Sequence, residues 1–188
     1  LTFAAPAFSG AKNIYTFAHD NGNLSTGWEQ KGSWTVPGGS VNQAPAVVSI
    51  TPSSGSGSSQ TFSVVVSDAN GFGDLASVQV LINSTLNTAG ACYVYYSPGN
   101  NAVYLLNDSG SAWIGPSVLG GGAALNNSRC GVNAGSSSAL GSGNNLTLNL
   151  ALTFAAPTFS GAKNIYTFAH DHGNLSTGWE QKGSWMVN

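Results

Sequence analysis

An all-β chain folded as an antiparallel sandwich is what this sequence predicts, on three observations. Runs in which apolar and polar residues alternate recur along its 188 residues. No window of ten residues reads as an amphipathic helix free of Gly, Pro or β-branched interruption. The runs are separated by Gly, Asn and Ser clusters of the kind that make turns. About eight or nine short strands are expected, packed as two sheets.

The elements follow in chain order. Residues 1–36 recur almost unchanged as residues 152–187, an offset of 151, about one domain length. The two copies differ only at Ala7/Thr158, Asn21/His172 and Thr35/Met186. Nothing like the segment lies between. A tandem array with a period near 151 explains this: residues 1–36 are the C-terminal part of a preceding repeat, and Leu1 falls inside a strand. "VPGGSVNQAP" carries Pro and Gly that interrupt strand pairing, so residues 37–44 are a linker. A complete repeat, 45–187, opens on the strand "AVVSIT".

In "QTFSVVVSD", Phe62, Val64 and Val66 share one face while Ser63, Val65 and Ser67 share the other. "SVQVLINS" aligns Val78, Val80 and Ile82. "ACYVYYSPGNNAVYLLN" is a hairpin turning at Ser97-Pro98-Gly99-Asn100. "NLTLNLALTF" is the cleanest strand, with Leu146, Leu148, Leu150, Leu152 and Phe154 on one face. "KNIYTFAHD" is apolar on both faces, as expected of a central strand. "GWEQKGSWMV" is expected to put Trp179, Gln181, Gly183, Trp185 and Val187 on one face.

Composition narrows function. Hydrophobic residues make up 41% of the chain, enough for a folded core, while charged residues make up 6%. Five basic residues and a net charge of −2 supply no phosphate-tracking groove and no attraction to anionic membranes. No apolar run is long enough to span a bilayer. Nucleic acid and membrane insertion are therefore set aside.

The two cysteines, Cys92 and Cys130, match no zinc or redox spacing. A disulfide is expected, since the composition looks secreted; two buried free thiols are the alternative. The chain is not expected to be an enzyme. The adjacent His19-Asp20 and His170-Asp171 point to opposite faces of a strand, so they do not orient each other as catalytic partners do. No G-x-S-x-G or H-E-x-x-H motif accompanies them. The acidic residues form no evident pair for glycoside hydrolysis, and no cofactor is expected beyond calcium.

Two candidate ligand sites remain. "SDANGFGDL" carries Asp68, Asn70 and Asp74 on a Gly-punctuated loop after a strand, oxygen donors resembling part of a calcium loop. It lacks the closing bidentate Glu, and Asp68 and Asn70 would equally serve the loop's own backbone. Tyr93, Tyr95, Tyr96, Tyr104 and Trp113 concentrate in mid-repeat, where rings beside amides could stack on sugars; alternate rings in the core are the plainer reading. N-x-S/T acceptors occur at Asn23, Asn83, Asn107, Asn126, Asn145 and Asn174, as chance allows in so Asn-rich a chain.

The segment "APAVVSITPSSGSGSSQTFSVVVSDANGFGDLASVQVLIN", the "CYVYY…NAVYLLND" hairpin and "GAKNIYTFAHDxGNLSTGWEQKGSW" together resemble an immunoglobulin-like repeat of large secreted or surface proteins of bacteria. The resemblance spans 45–187. It implies an extracellular or cell-surface, multi-repeat, non-catalytic protein. The expected role is structural: a repeat of a fibre, stalk or giant adhesin, associating with other copies of itself or adjacent repeats through strand complementation or edge contacts. So low a charge leaves few of the charged groups that normally keep strand edges apart. A carbohydrate-binding module using the Tyr-rich hairpin, with polysaccharide as partner, is the alternative.

Overall fold

A computed structural model of the chain describes residues 2–3, 7–39 and 41–188. The chain forms two compact units, Leu1–Val41 and Asn42–Asn188. The first is a hairpin. Strand β1 (Gly10–Thr16) pairs antiparallel with β2 (Glu29–Val36), with a bulge beside Ile14 and Tyr15.

The second unit is an all-β sandwich of two antiparallel sheets. Its strands are β3 (Ala46–Thr51), β4 (Ser59–Ser67), β5 (Leu75–Asn83), β6 (Cys92–Ser97), β7 (Ala102–Leu106), β8 (Trp113–Val118), β9 (Leu125–Asn126), β10 (Cys130–Val132), β11 (Ser138–Ser142), β12 (Asn145–Phe154), β13 (Gly161–Asp171) and β14 (Glu180–Val187). One sheet runs β3-β4-β12-β10-β9, with β11 also paired to β12; the other runs β14-β13-β5-β6-β7-β8. These twelve strands exceed the eight or nine expected. The surplus lies in the Gly- and Ser-rich stretch 113–142, where strands of two to six residues leave little periodicity to read.

The alternation in the long strands sets the core. Phe62, Val64 and Val66 of β4 face Leu146, Leu148, Leu150 and Leu152 of β12 across their ladder, and Val78, Val80 and Ile82 close the core from β5. Cys92 of β6 and Cys130 of β10 form the expected disulfide, with Cα atoms 5.5 Å apart. It joins one sheet to the other through the core. Beside it, Asn127 Nδ2 donates to the carbonyls of Ala91 and Leu106 while Asn127 Oδ1 accepts from the Arg129 and Cys130 amides.

The β13–β14 hairpin closes the sandwich in three ways. On one edge, β13 pairs with β5 from Asn164↔Asn83 to Asp171↔Leu75. On the other edge, β14 is bonded by the 53–57 loop: Ser184 N donates to Ser53 O, Met186 N to Gly55 O, and Gly57 N to Met186 O. Between the edges, Ile165, Trp185 and Val187 enter the core. Gly183 is required here, because a Cβ would lie 2.4 Å from Ser53 O.

One face assignment is corrected. Trp179 and Trp185 do not share a face: Trp185 joins the core between the sheets, whereas Trp179 packs with Tyr93, Leu81 and Tyr166 on the outer side. The cause is the bulge. Ile165 pairs with Gly183 but the next residue, Tyr166, pairs with Gln181, so Lys182 is an extra residue and the alternation reverses across it.

Candidate functional site

Three features stand out in the two units. The first is an acidic cluster at one end of the sandwich. Asp68 follows β4, Asp74 ends the 3-10 turn Phe72–Asp74, and Asp171 ends β13. The pairing of Asp171 with Leu75 brings the third carboxylate to the other two. One oxygen from each lies within 4.8 Å of the others. Asp68 is 1% and Asp171 0% exposed.

The partners of these carboxylates are few. Asp68 Oδ1 accepts from Asn70 N at 2.7 Å; Asp68 Oδ2 is buried with no hydrogen-bond partner among the described residues. Asp171 Oδ1 accepts from Leu175 N, and Asp171 Oδ2 accepts from Asn42 Nδ2 at 3.0 Å. Burial pushes the Asp68 carboxyl above its ordinary range; the Asn70 amide opposes this, and the Asp74 and Asp171 charges add to it. Among the described residues, the ion pairs are Glu29–Lys31 and Glu180–Lys182, so no cationic side chain pairs with the cluster.

Of the residues expected to donate to calcium, Asp68 and Asp74 come together. Asn70 has its Oδ1 engaged by the Gln43 amide at 2.9 Å. Asp171 was not anticipated: "AHD" reads as the polar end of a strand, and its approach to Asp74 depends on β13 pairing with β5. Its neighbour His170 points outward and meets Ser77 Oγ through Nδ1 at 2.6 Å.

The second feature is an aromatic face on the outer side of the β5-containing sheet. Trp179 lies between Phe168 and Tyr93, Tyr93 touches Trp113, and Tyr95 touches both Trp113 and Tyr104, with ring centroids 5.0–5.8 Å apart. Tyr95, Tyr104 and Trp113 line an open depression of about 440 Å³ with Ser97 and Asn100.

Two of the five rings expected to stack on sugars are corrected. Tyr96 is 3% exposed and faces the core, because it alternates with Tyr95. Tyr93 lies on the outer side but is covered by Trp113 and Trp179. Its hydroxyl donates to Gln79 Oε1, and burial, with Tyr95 adding, pushes its pKa up to about 12.

The third feature is the apolar face of the β1–β2 hairpin. Its register and bulge match those of β13–β14 pair for pair. Even the Lys12–Phe8 cation–π contact recurs as Lys163–Phe159, both at 4.7 Å. The surroundings differ. Trp34 is 59% exposed where Trp185 is 5%, and Ile14 is 47% exposed where Ile165 is 0%. Phe3, Phe8, Ile14, Trp34 and Val36 line an open depression of about 410 Å³. Among the described residues, the sheet of this hairpin holds β1 and β2 alone. No helix among the described residues is long and apolar enough to cross a membrane.

No family model, curated protein or solved structure matches the chain.

Proposed function

We propose that the chain is a non-catalytic assembly repeat of an extracellular or cell-surface bacterial protein of immunoglobulin-like type, in which the β1–β2 hairpin closes the sandwich of another copy. The observation that carries this is the internal pair of hairpins. The same sequence in the same register is complete in one unit and uncovered in the other. In the second unit the hairpin is satisfied by β5 on one edge, the 53–57 loop on the other and the core beneath Trp185. Among the described residues the β1–β2 unit has no equivalent of these three, and a lone two-stranded hairpin is marginally stable at best in water. The partner that fits is a second body of this chain whose own closing hairpin is displaced, since it then presents the surface these residues already occupy once. The disulfide accords with an oxidising location outside the cell.

The test uses the full chain. Ile165→Ser with Trp185→Ser disables the resident hairpin, and the vacated body is expected to take hairpin 10–36 from another copy. The variant should then sediment as a dimer or larger species and retain a cooperative melt. Adding Ile14→Ser and Trp34→Ser should abolish both. Equal melts and equal sizes for the two-site and four-site variants would sink the reading.

A second reading, a carbohydrate-binding module, rests on the depression formed by Tyr95, Tyr104 and Trp113, whose polar rim is Ser97 and Asn100. Rings of this kind supply flat apolar area and the amide supplies hydrogen bonds. Retention on one insoluble polysaccharide, lost in Trp113→Ala, is expected under this reading. Equal retention of both proteins, or of neither, removes it.

A further inference from the structure

We infer that Asp68, Asp74 and Asp171 form a calcium site that ties the closing hairpin to the body of the sandwich. Two of its carboxylates come from the β4–β5 connection, and the third from the end of β13. Two oxygens on one ion at the usual calcium–oxygen distance of about 2.4 Å lie at most about 4.8 Å apart, and all three carboxylate oxygens fall within that limit of one another. Buried carboxylates without a counter-charge are strongly disfavoured, and like charges at this range add repulsion. Here two of the three are buried, and no cationic side chain among the described residues pairs with them.

A second, independent observation is the Asp68 side chain itself. Its Oδ1 is held by the Asn70 amide, which leaves Oδ2 buried with no donor among the described residues. A buried acceptor left in this state is costly, and a cation satisfies it. The donors are all oxygens, with no sulfur and no imidazole in the cluster, which selects a hard cation. The fixed orientation of Asp171, through Leu175 N and Asn42 Nδ2, pre-sets the ligand from the far strand.

The hairpin copy supplies an internal control. Asp20 is the counterpart of Asp171, but it is exposed and its Oδ1 accepts from Gly22 N and Leu24 N within its own turn. Among the described residues the chain therefore has one such cluster, in the second unit.

The test is calcium titration of the full chain after chelation, by calorimetry and by thermal melting. One ion per chain is expected. With a Kd of about 0.1 mM, 10 mM calcium should raise the melting temperature of the second unit by about 5–10 °C. Sodium chloride at matched ionic strength should not reproduce the shift, and magnesium should give a smaller one. Asp68→Asn and Asp171→Asn should flatten the calcium response, while Asp20→Asn should leave it intact. No heat of binding and no shift in the wild-type chain would overturn the site, whatever the variants do. So would a shift equalled by sodium, or one that survives Asp68→Asn and Asp171→Asn unchanged.

Discussion

Trp185→Ala is expected to destabilise the second unit by about 3–5 kcal/mol, the usual cost of truncating a buried aromatic, whereas Trp34→Ala should leave that unit's melt unchanged. The residues are equivalent in sequence, so intrinsic propensity and unfolded-chain effects are nearly shared, and the difference isolates burial. Trp185 stacks edge-on to Phe62 with centroids 5.3 Å apart, and its Nε1 donates to Gly57 O at 2.9 Å. Gly55 lies against its ring: a Cβ there would come within 2.4 Å of Cζ3. Truncation would open a cavity, strand the Gly57 carbonyl and loosen the loop that covers the β14 edge. Among the described residues, Trp34 makes none of these contacts in its own unit. Chemical denaturation of the two variants, followed by a probe of the sandwich, measures the contrast. Equal losses would mean that Trp34 is already packed as Trp185 is.

Such a loss is a large fraction of the stability of an ordinary domain, about 5–15 kcal/mol. It also defines what the uncovered hairpin has to gain. The interactions that Trp185 makes on the sandwich are those that Trp34 would acquire on docking to a vacant body. A body with its resident hairpin in place offers no such gain, because exchanging one copy for the other only changes which is exposed. Assembly by this route therefore requires a body whose closing hairpin is displaced or lacking.

How much of this was legible in the sequence differs by element. The leucine ladder of β12 and the Phe62, Val64, Val66 face of β4 were legible, because an uninterrupted strand writes its burial at period two. The Trp179 face was not. One extra residue, Lys182, reverses the alternation of β14, and nothing in "GWEQKGSW" marks a bulge. Tyr93, Tyr95 and Tyr96 were legible as a strand, but the four consecutive apolar-bodied positions Tyr93-Val94-Tyr95-Tyr96 do not say which face is the core. That was decided by β6 packing its Cys92, Val94 and Tyr96 side inward.

The acidic site divides in the same way. Asp68 and Asp74 lie on one loop and could be grouped by spacing. Asp171 is about a hundred residues away, and only the β13–β5 register brings it beside them. The exposed Asp20 shows why the segment alone could not reveal this. Its sequence differs from that around Asp171 by a single nearby substitution, Asn21 for His172, yet among the described residues it joins no acidic cluster. The site is a property of the closed sandwich rather than of the motif.

Replacing Cys92 and Cys130 together by alanine is expected to lower the stability of the second unit by about 4 kcal/mol and its melting temperature by about 8–16 °C. The bridge spans 38 residues, and a loop of that length loses about this much entropy when closed in the unfolded chain. The loop carries β9, the edge strand of one sheet, and β7 and β8, which form the outer edge of the other. Asn127 keeps the sheets joined without the covalent bond, through its four hydrogen bonds beside Cys130. The double variant should therefore remain folded at room temperature, with its extra hydrogen exchange concentrated in residues 113–132. Asn127→Ala in the double-alanine background removes this local link and the Asn127 donor from the Ala91 and Leu106 carbonyls, at a further cost of about 1–3 kcal/mol for each group left unpaired. Reduced and oxidised chains that melt within 2 °C of one another would contradict the argument, and would place the resistance to unfolding in the two long ladders of β4–β12 and β5–β13 instead.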